Sequence, residues 1–351
     1  THTARAKTFG FSAAPTFAVS AMISEAWVGG ATRAYADGST TVNVNTKAEI
    51  TADSTASALP DADSISVGGV AGALAKIDAD VDRVTEAYIG TAAGVTPTGE
   101  TIFSIGTDDL WTDDLWIRAY SNFTANSAPL GLSVGLWGSA AITETTADIT
   151  GATLAYVGEA TTVNAGELDV LAVAIETTKA DSKTFAFAAG ASGALAQGSA
   201  SIDSTIEAWI GTRYGDTATV DAETDINITA GVNGDGTVIV DADATRSAIS
   251  NALGVAGSGA LSVAALAPTA TIGGVVRAAV NGDTTIDALS LDVTADAQQV
   301  ATATATVAAL SIGGSGSFAH ATAEIESSAD VEARVGSGAS INVSGACLLY
   351  T

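Results

Sequence analysis

The chain has 351 residues, 47% of them hydrophobic but only 5% aromatic, so its core must be built from Ala, Val, Ile, Leu and Thr. Asp and Glu number 39 against 13 Lys and Arg, a formal net charge of −26, which argues against nucleic-acid binding because neutralising phosphates needs a basic surface. Strong helix formers other than Ala are scarce and no long stretch repeats apolar residues at i, i+3 and i+4, which leaves almost no helix to predict.

In chain order the elements are alternating strands punctuated by a recurring signature that ends in an aromatic, a β-branched residue and Gly. Its copies are Ser24-Glu25-Ala26-Trp27-Val28-Gly29, Thr85-Glu86-Ala87-Tyr88-Ile89-Gly90, Thr153-Leu154-Ala155-Tyr156-Val157-Gly158 and Ile206-Glu207-Ala208-Trp209-Ile210-Gly211. Weaker copies close at Asn281 and Gly336, and the closing residues lie 61, 68, 53, 70 and 55 positions apart. A Gly-plus-small-plus-apolar step, such as Gly72-Ala73-Leu74 or Gly193-Ala194-Leu195, precedes each copy at a nearly fixed distance. Between these landmarks the period is two: Val42 and Val44 alternate with Asn43 and Asn45, and Ile77, Ala79 and Val81 alternate with Asp78, Asp80 and Asp82. Such alternation marks half-buried strands.

A degenerate repeat of this size predicts an all-β parallel β-solenoid of about six units of about 60 residues. The expected organisation is one elongated domain over 1–351, with units 9–42, 43–102, 115–168, 169–224, 225–289 and 290–343 and an insertion at 103–116. Each unit reads as about three coils of roughly 20 residues, giving a rod on the order of 80 Å long, with Trp27, Tyr88, Tyr156 and Trp209 along one edge. The alternative is an array of β-sandwich domains, which would need larger aromatic cores.

Two blocks lack charge entirely, Ala119–Thr143 and Ser247–Val276. Length alone would allow a membrane helix, but the second block holds six Gly-or-Pro positions and similar blocks recur in every unit, so no membrane span is expected. They read instead as the most deeply stacked strands. The chain begins at Thr1 without a visible signal peptide, as in a processed product or an excerpt, and neither end resembles a cap. The expected partners are therefore end-to-end copies of itself or further coils of a longer chain.

Blocks such as Ser66-Val-Gly-Gly-Val-Ala-Gly-Ala-Leu-Ala75, followed by Thr85-Glu-Ala-Tyr-Ile-Gly90 and an alternating Val/Asn/Thr strand, resemble the repeats of giant bacterial surface adhesins of the filamentous-haemagglutinin and leukotoxin kind. The resemblance covers about Phe9 to Val343, rests on short motifs and brings no catalytic residues. It implies an extracellular, cell-surface β-helical stalk or filament segment that works by mechanical extension.

Candidate chemistry is sparse. Asp78, Asp80 and Asp82 put three carboxylates on one side of a strand and are the best Ca²⁺ candidates, ahead of Asp61/Asp63, Asp241/Asp243 and the turn Asn233-Gly-Asp-Gly236. They do not form an EF-hand loop, since Arg83 takes the Gly position and Ile89 that of the bidentate acid. A solvated acidic face without a specific ion explains the same residues. The tandem Asp108-Asp109-Leu110-Trp111-Thr112-Asp113-Asp114-Leu115-Trp116 sets Trp111 and Trp116 beside Asp108, Asp109, Asp113 and Asp114, a composition that suits stacking on a glycan or folding back against the solenoid. Cys347 is alone, so no intrachain disulfide forms. No spacing selects a catalytic pair among 39 carboxylates, so an enzyme is not expected. Behind the structural reading stand a glycan-binding module and then a β-helical carbohydrate-active enzyme.

Overall fold

The structure, a computed structural model, describes residues 1–106, 114–216, 223–229 and 236–351. Of these, 83% are strand and none is helical. In chain order the strands are β1 (His2–Asp37), β2 (Thr41–Val44), β3 (Ala48–Gly90), β4 (Thr101–Ile105), β5 (Asp114–Ser127), β6 (Leu130–Val157), β7 (Thr161–Ala165), β8 (Glu167–Ala188), β9 (Ala191–Gly211) and β10 (Thr224–Ile228). There follow β11 (Thr237–Ser258), β12 (Leu261–Asn281), β13 (Thr284–Ala288), β14 (Ser290–Ser311), β15 (Gly314–Ala319), β16 (Thr322–Ile325), β17 (Asp330–Val335), β18 (Ser340–Val343) and β19 (Cys347–Tyr350). The pairings among them are parallel. The parallel β-solenoid is therefore the fold.

Each coil has three arms. A long outgoing arm runs to a corner, a long return arm comes back over it, and a short third arm closes the circuit. In the fourth coil these are β8, β9 and β10; in the first two coils, β1 and β3 each supply both long arms, with register shifts at the corner beside Ala14 and Gly68. The long arms make one folded sheet and the short arms β2, β4, β7, β10, β13 and β18 a second.

Successive residues at the start of the return arm, Phe17, Val70, Gly138, Ala191, Leu261 and Gly314, stack on one another. Each step along that column is one repeat of the sequence, roughly 60 residues. One unit is thus one wide coil, and the expectation of three narrow coils per unit is corrected. The reason lies in arms such as β8 and β14, each 22 residues long with neither Gly nor Pro to turn the chain. An arm of that length spans about 70 Å, while six layers about 4.8 Å apart rise only about 29 Å. The molecule is a broad slab rather than the long rod that narrow coils would build.

The first signature is also out of register. Ser24–Gly29 stacks on Ile77–Asp82, which puts Trp27 on Asp80, and the residue aligned with Tyr88 is Tyr35. Closing the first unit at Asp37, opposite Gly90, shortens its spacing from 61 to 53. Within the expected insertion 103–116, Phe103 to Ile105 belong to β4 and Asp114 to Trp116 to β5, so both ends are rungs of the ladder. Long and short coils alternate, and in chain order the extra length falls between β3 and β4, β4 and β5, β9 and β10, and β10 and β11.

Where three arms meet, the interior is deep enough for branched side chains. Leu115, Leu168, Val238 and Leu291 form one fully buried column, facing Phe103, Val163, Ile226 and Ile286 of the short sheet. Toward the corner only two sheets face each other; one column there, Val81, Ile149, Ile202 and Ile272, is still branched, but nearest the corner the buried columns are mainly small: Ala73, Ala141, Ala194 and Ala264 on the return arm, Ala186 and Ala256 opposite. The corner itself needs glycine, because a Cβ on Gly190 or Gly259 would strike the backbone carbonyl of Trp137 or Ala189 in the coil before. The charge-free blocks flank this corner; Ser247–Val276 runs through β11 and β12, and no helix among the described residues is long and apolar enough to cross a membrane.

One charged pair lies in the two-sheet interior. Arg246, wholly buried, donates to Glu176 at 3.1 Å, to the Ser204 carbonyl at 2.8 Å and to the Gly273 carbonyl at 3.0 Å, while Ser204 Oγ donates to Glu176 at 2.6 Å. Removing one partner strands a buried charge. Glu176→Gln is expected to cost about 3–5 kcal/mol in urea unfolding, whereas Asp61→Asn, at the exposed pair with Lys7, leaves the midpoint unchanged; equal midpoints for the two variants would contradict this reading of the buried pair.

Candidate functional site

The end of the return arm is the place where outward-facing side chains are buried, because loops of the long coils fold over it. Stacking like on like at about 4.8 Å puts the signature aromatics face to face. Ring centroids of Tyr35, Tyr88, Tyr156 and Trp209 are 5.0, 4.8 and 4.0 Å apart in turn, and the ring planes are within 9° of parallel. Tyr88, Tyr156 and Trp209 thus share the expected edge; Trp27 does not.

Two residues before each aromatic runs a second column: Arg33, Glu86, Leu154, Glu207, Arg277 and Glu332. Its signs alternate on either side of Leu154, so stacking attracts rather than repels. Arg33 pairs with Glu86 at 2.7 Å, Glu207 with Arg277 at 2.8 Å and with Arg213 at 2.7 Å, and Arg277 with Glu332 at 2.9 Å. Tyr156 Oη donates to Glu86 at 2.7 Å and accepts from the Ala93 amide at 3.1 Å, which clips the 91–96 loop over the column. Burial, reinforced by Glu86, holds the Tyr156 hydroxyl far above the usual phenol range; burial and the charge of Asp37 push Tyr88 up to about 12.

Two adjoining clefts open between the loops. The first, about 230 Å³, lies between 91–96 and 211–216 with Tyr156 and Trp209 at its base. The second, about 410 Å³, lies between 212–216, 281–283 and 334–338. Over it stands Tyr214, about half exposed, with the guanidinium of Arg277 4.0 Å and that of Arg334 4.5 Å from its ring centre. Asn281 Nδ2 and Arg334 Nε line this cleft region buried and without a protein acceptor. The chemistry on offer is stacking on an aromatic flanked by cations.

The residues expected from sequence lie elsewhere. Trp111, Asp108, Asp109 and Asp113, like Asn233 to Asp235, are outside the described residues. Asp114 and Trp116 are on β5, where Trp116 lies on the outer face of the outgoing arm between Lys47 and Arg118, and Leu115 points into the core. Asp78, Asp80 and Asp82 do share one outer face, but neighbours two apart on a strand are about 7 Å from each other. No group of three or more His, Cys, Asp or Glu among the described residues is placed to hold a metal. Sequence reasoning misses Arg33, Arg277 and Tyr214, although a Glu or Arg two places before the aromatic is visible in the signature once it is in register.

No family model, no curated protein and no solved structure matches the chain.

The acidic face has a consequence for stability. Asp148 stacks on Asp80, and burial, then the charges of Asp80 and Asp78, raise its carboxyl to about 6 from an ordinary 3.8. A proton therefore binds the folded state more tightly than the unfolded one, so this group's stabilisation is absent above pH 6 and grows as pH falls toward 4. The melting temperature is expected to rise between pH 7 and pH 5, and Asp148→Asn to raise it at pH 7.5 and flatten the dependence. An unaltered pH profile in that variant would show that Asp148 does not carry the effect.

Proposed function

We propose that the chain is an extracellular structural protein, a β-solenoid segment of a bacterial surface adhesin or filament. The observation that carries this reading is the parallel register that runs through six stacked coils and shifts only at the corner, in which nearly every residue serves a column rather than a site. The resemblance of its motifs to adhesin repeats supports the same reading. The slab proportions refine it: about 60 residues for each 4.8 Å of height make a poor spacer, so width, covering and display fit the shape better than reach. A second reading, a glycan-binding module, is favoured by the half-exposed Tyr214 ring between two arginines above a cleft.

Immunogold labelling of producing cells, with protease shaving of intact cells, tests the first reading. The expected outcome is external label lost on shaving; label confined to the cytoplasm would contradict it. Saccharide binding by the isolated chain that falls at least tenfold in Tyr214→Ala would establish the second reading beside it.

A further inference from the structure

The corner of the slab is built inside out. Each coil has a charge-free block centred there: 8–24, 64–75, 119–143, 184–202, 247–276 and 297–323. Within these blocks the inward positions are small and often polar, with Ser64, Ser66, Ser133, Thr143, Thr184 and Ser262 all fully buried. The outward positions carry the large apolar side chains. Phe17 is 64% exposed, Trp137 72% and Leu261 52%, and Leu74, Ile142 and Phe187 are each about 40% exposed. A Phe outside and a Ser inside reverses the usual partition, because burying a hydroxyl gains nothing that burying the Phe would not exceed. Layer upon layer of the same reversal makes a continuous apolar rim around the corner, on both faces of the slab, and such a rim on a soluble surface marks a contact.

We propose that this rim pairs with the rim of a second copy of the chain. Charge decides the occupant. Outside the first coil, whose β1 carries Arg5, Lys7 and Arg33 against Glu25 and Asp37, contacts between two chains of net charge −26 mostly bring acid against acid within a Debye length of about 8 Å. At the rim the nearest charged positions of even the shortest block, Asp63 and Lys76, stand back from the corner by about six residues, or roughly 20 Å. The same net charge opposes an anionic lipid surface. Area is sufficient: six strands about 4.8 Å apart by about 20 Å give roughly 600 Å² on one face, or about 1,200 Å² over two partners, at the threshold of specific interfaces. On the return-arm face the small outward residues Gly72, Ala140 and Gly193 leave a shallow floor beside Leu74, Ile142 and Leu195, into which large side chains of a facing copy fit. The inference stands on this surface alone and is independent of where the protein resides.

Sedimentation equilibrium of the 351-residue chain at physiological salt tests it. The expected result is a reversible monomer–dimer equilibrium whose Kd weakens at least tenfold in Leu74→Glu/Ile142→Glu, while Ile175→Glu, at an exposed apolar position 47% accessible but away from the rim, leaves it unchanged. Circular dichroism and the unfolding midpoint confirm that the outward substitutions keep the fold. A monomer up to about 100 µM, or association that survives the rim substitutions, would overturn the proposal. So would a chain that is monomeric in solution yet floats with neutral phosphatidylcholine vesicles, which would assign the rim to lipid.

Discussion

Away from the corner, residues of the long arms lie on their counterparts from the neighbouring coil, at the spacing that parallel backbone hydrogen bonds impose, about 4.8 Å. Any side chain placed in a column must therefore tolerate its own kind, or a complement, at that distance. Aliphatic residues tolerate it by packing and aromatics by stacking, as Tyr88 and Tyr156 do at 4.8 Å. Arginine and glutamate tolerate it by taking turns. Aspartate does not: burial first, and then the charges of neighbouring aspartates, raise the carboxyls of Asp80 and Asp148.

The same spacing explains the alternation of short and long coils. A long loop is thicker than one layer, so two such loops on neighbouring coils would collide. Placing 91–100 on the second coil and 212–216 on the fourth leaves the third and fifth as clearings. Tyr156 and Arg277 stand in these clearings, roofed by the neighbouring loops, and the clefts lie between the roofs. The concave aromatic and cationic surface among the described residues thus arises from a steric rule about loop thickness.

How much of this was legible depended on what a period can express. The alternation of Ile77, Ala79 and Val81 with three aspartates declares a strand and its two faces, and the recurring aromatic declares the stacking column. A period does not state how many turns of chain fill it, and the clue, a β8 that runs its whole length without Gly or Pro, weighs little against the prior of narrow coils. Trp27 misleads because its local context copies the signature eight residues early, whereas Tyr35 lacks the closing Gly. The charge-free blocks are recognisable as recurrent, but lack of charge does not say which face is apolar; the reversal of Ser133 and Val134 about the sheet is visible only when inside is known. The clefts were illegible because they join loops of different coils, which a period along the chain does not bring together.

The central claim, one wide coil per unit, is tested most directly by a distance between equivalent residues of distant units. Gly72 and Gly316 belong to one outward column four layers apart. Spin labels at Gly72→Cys and Gly316→Cys, with Cys347→Ser to remove the native thiol, should give a dipolar distance of about 20 Å. Three coils per unit would place them roughly 58 Å apart, and a distance near that value would contradict the account.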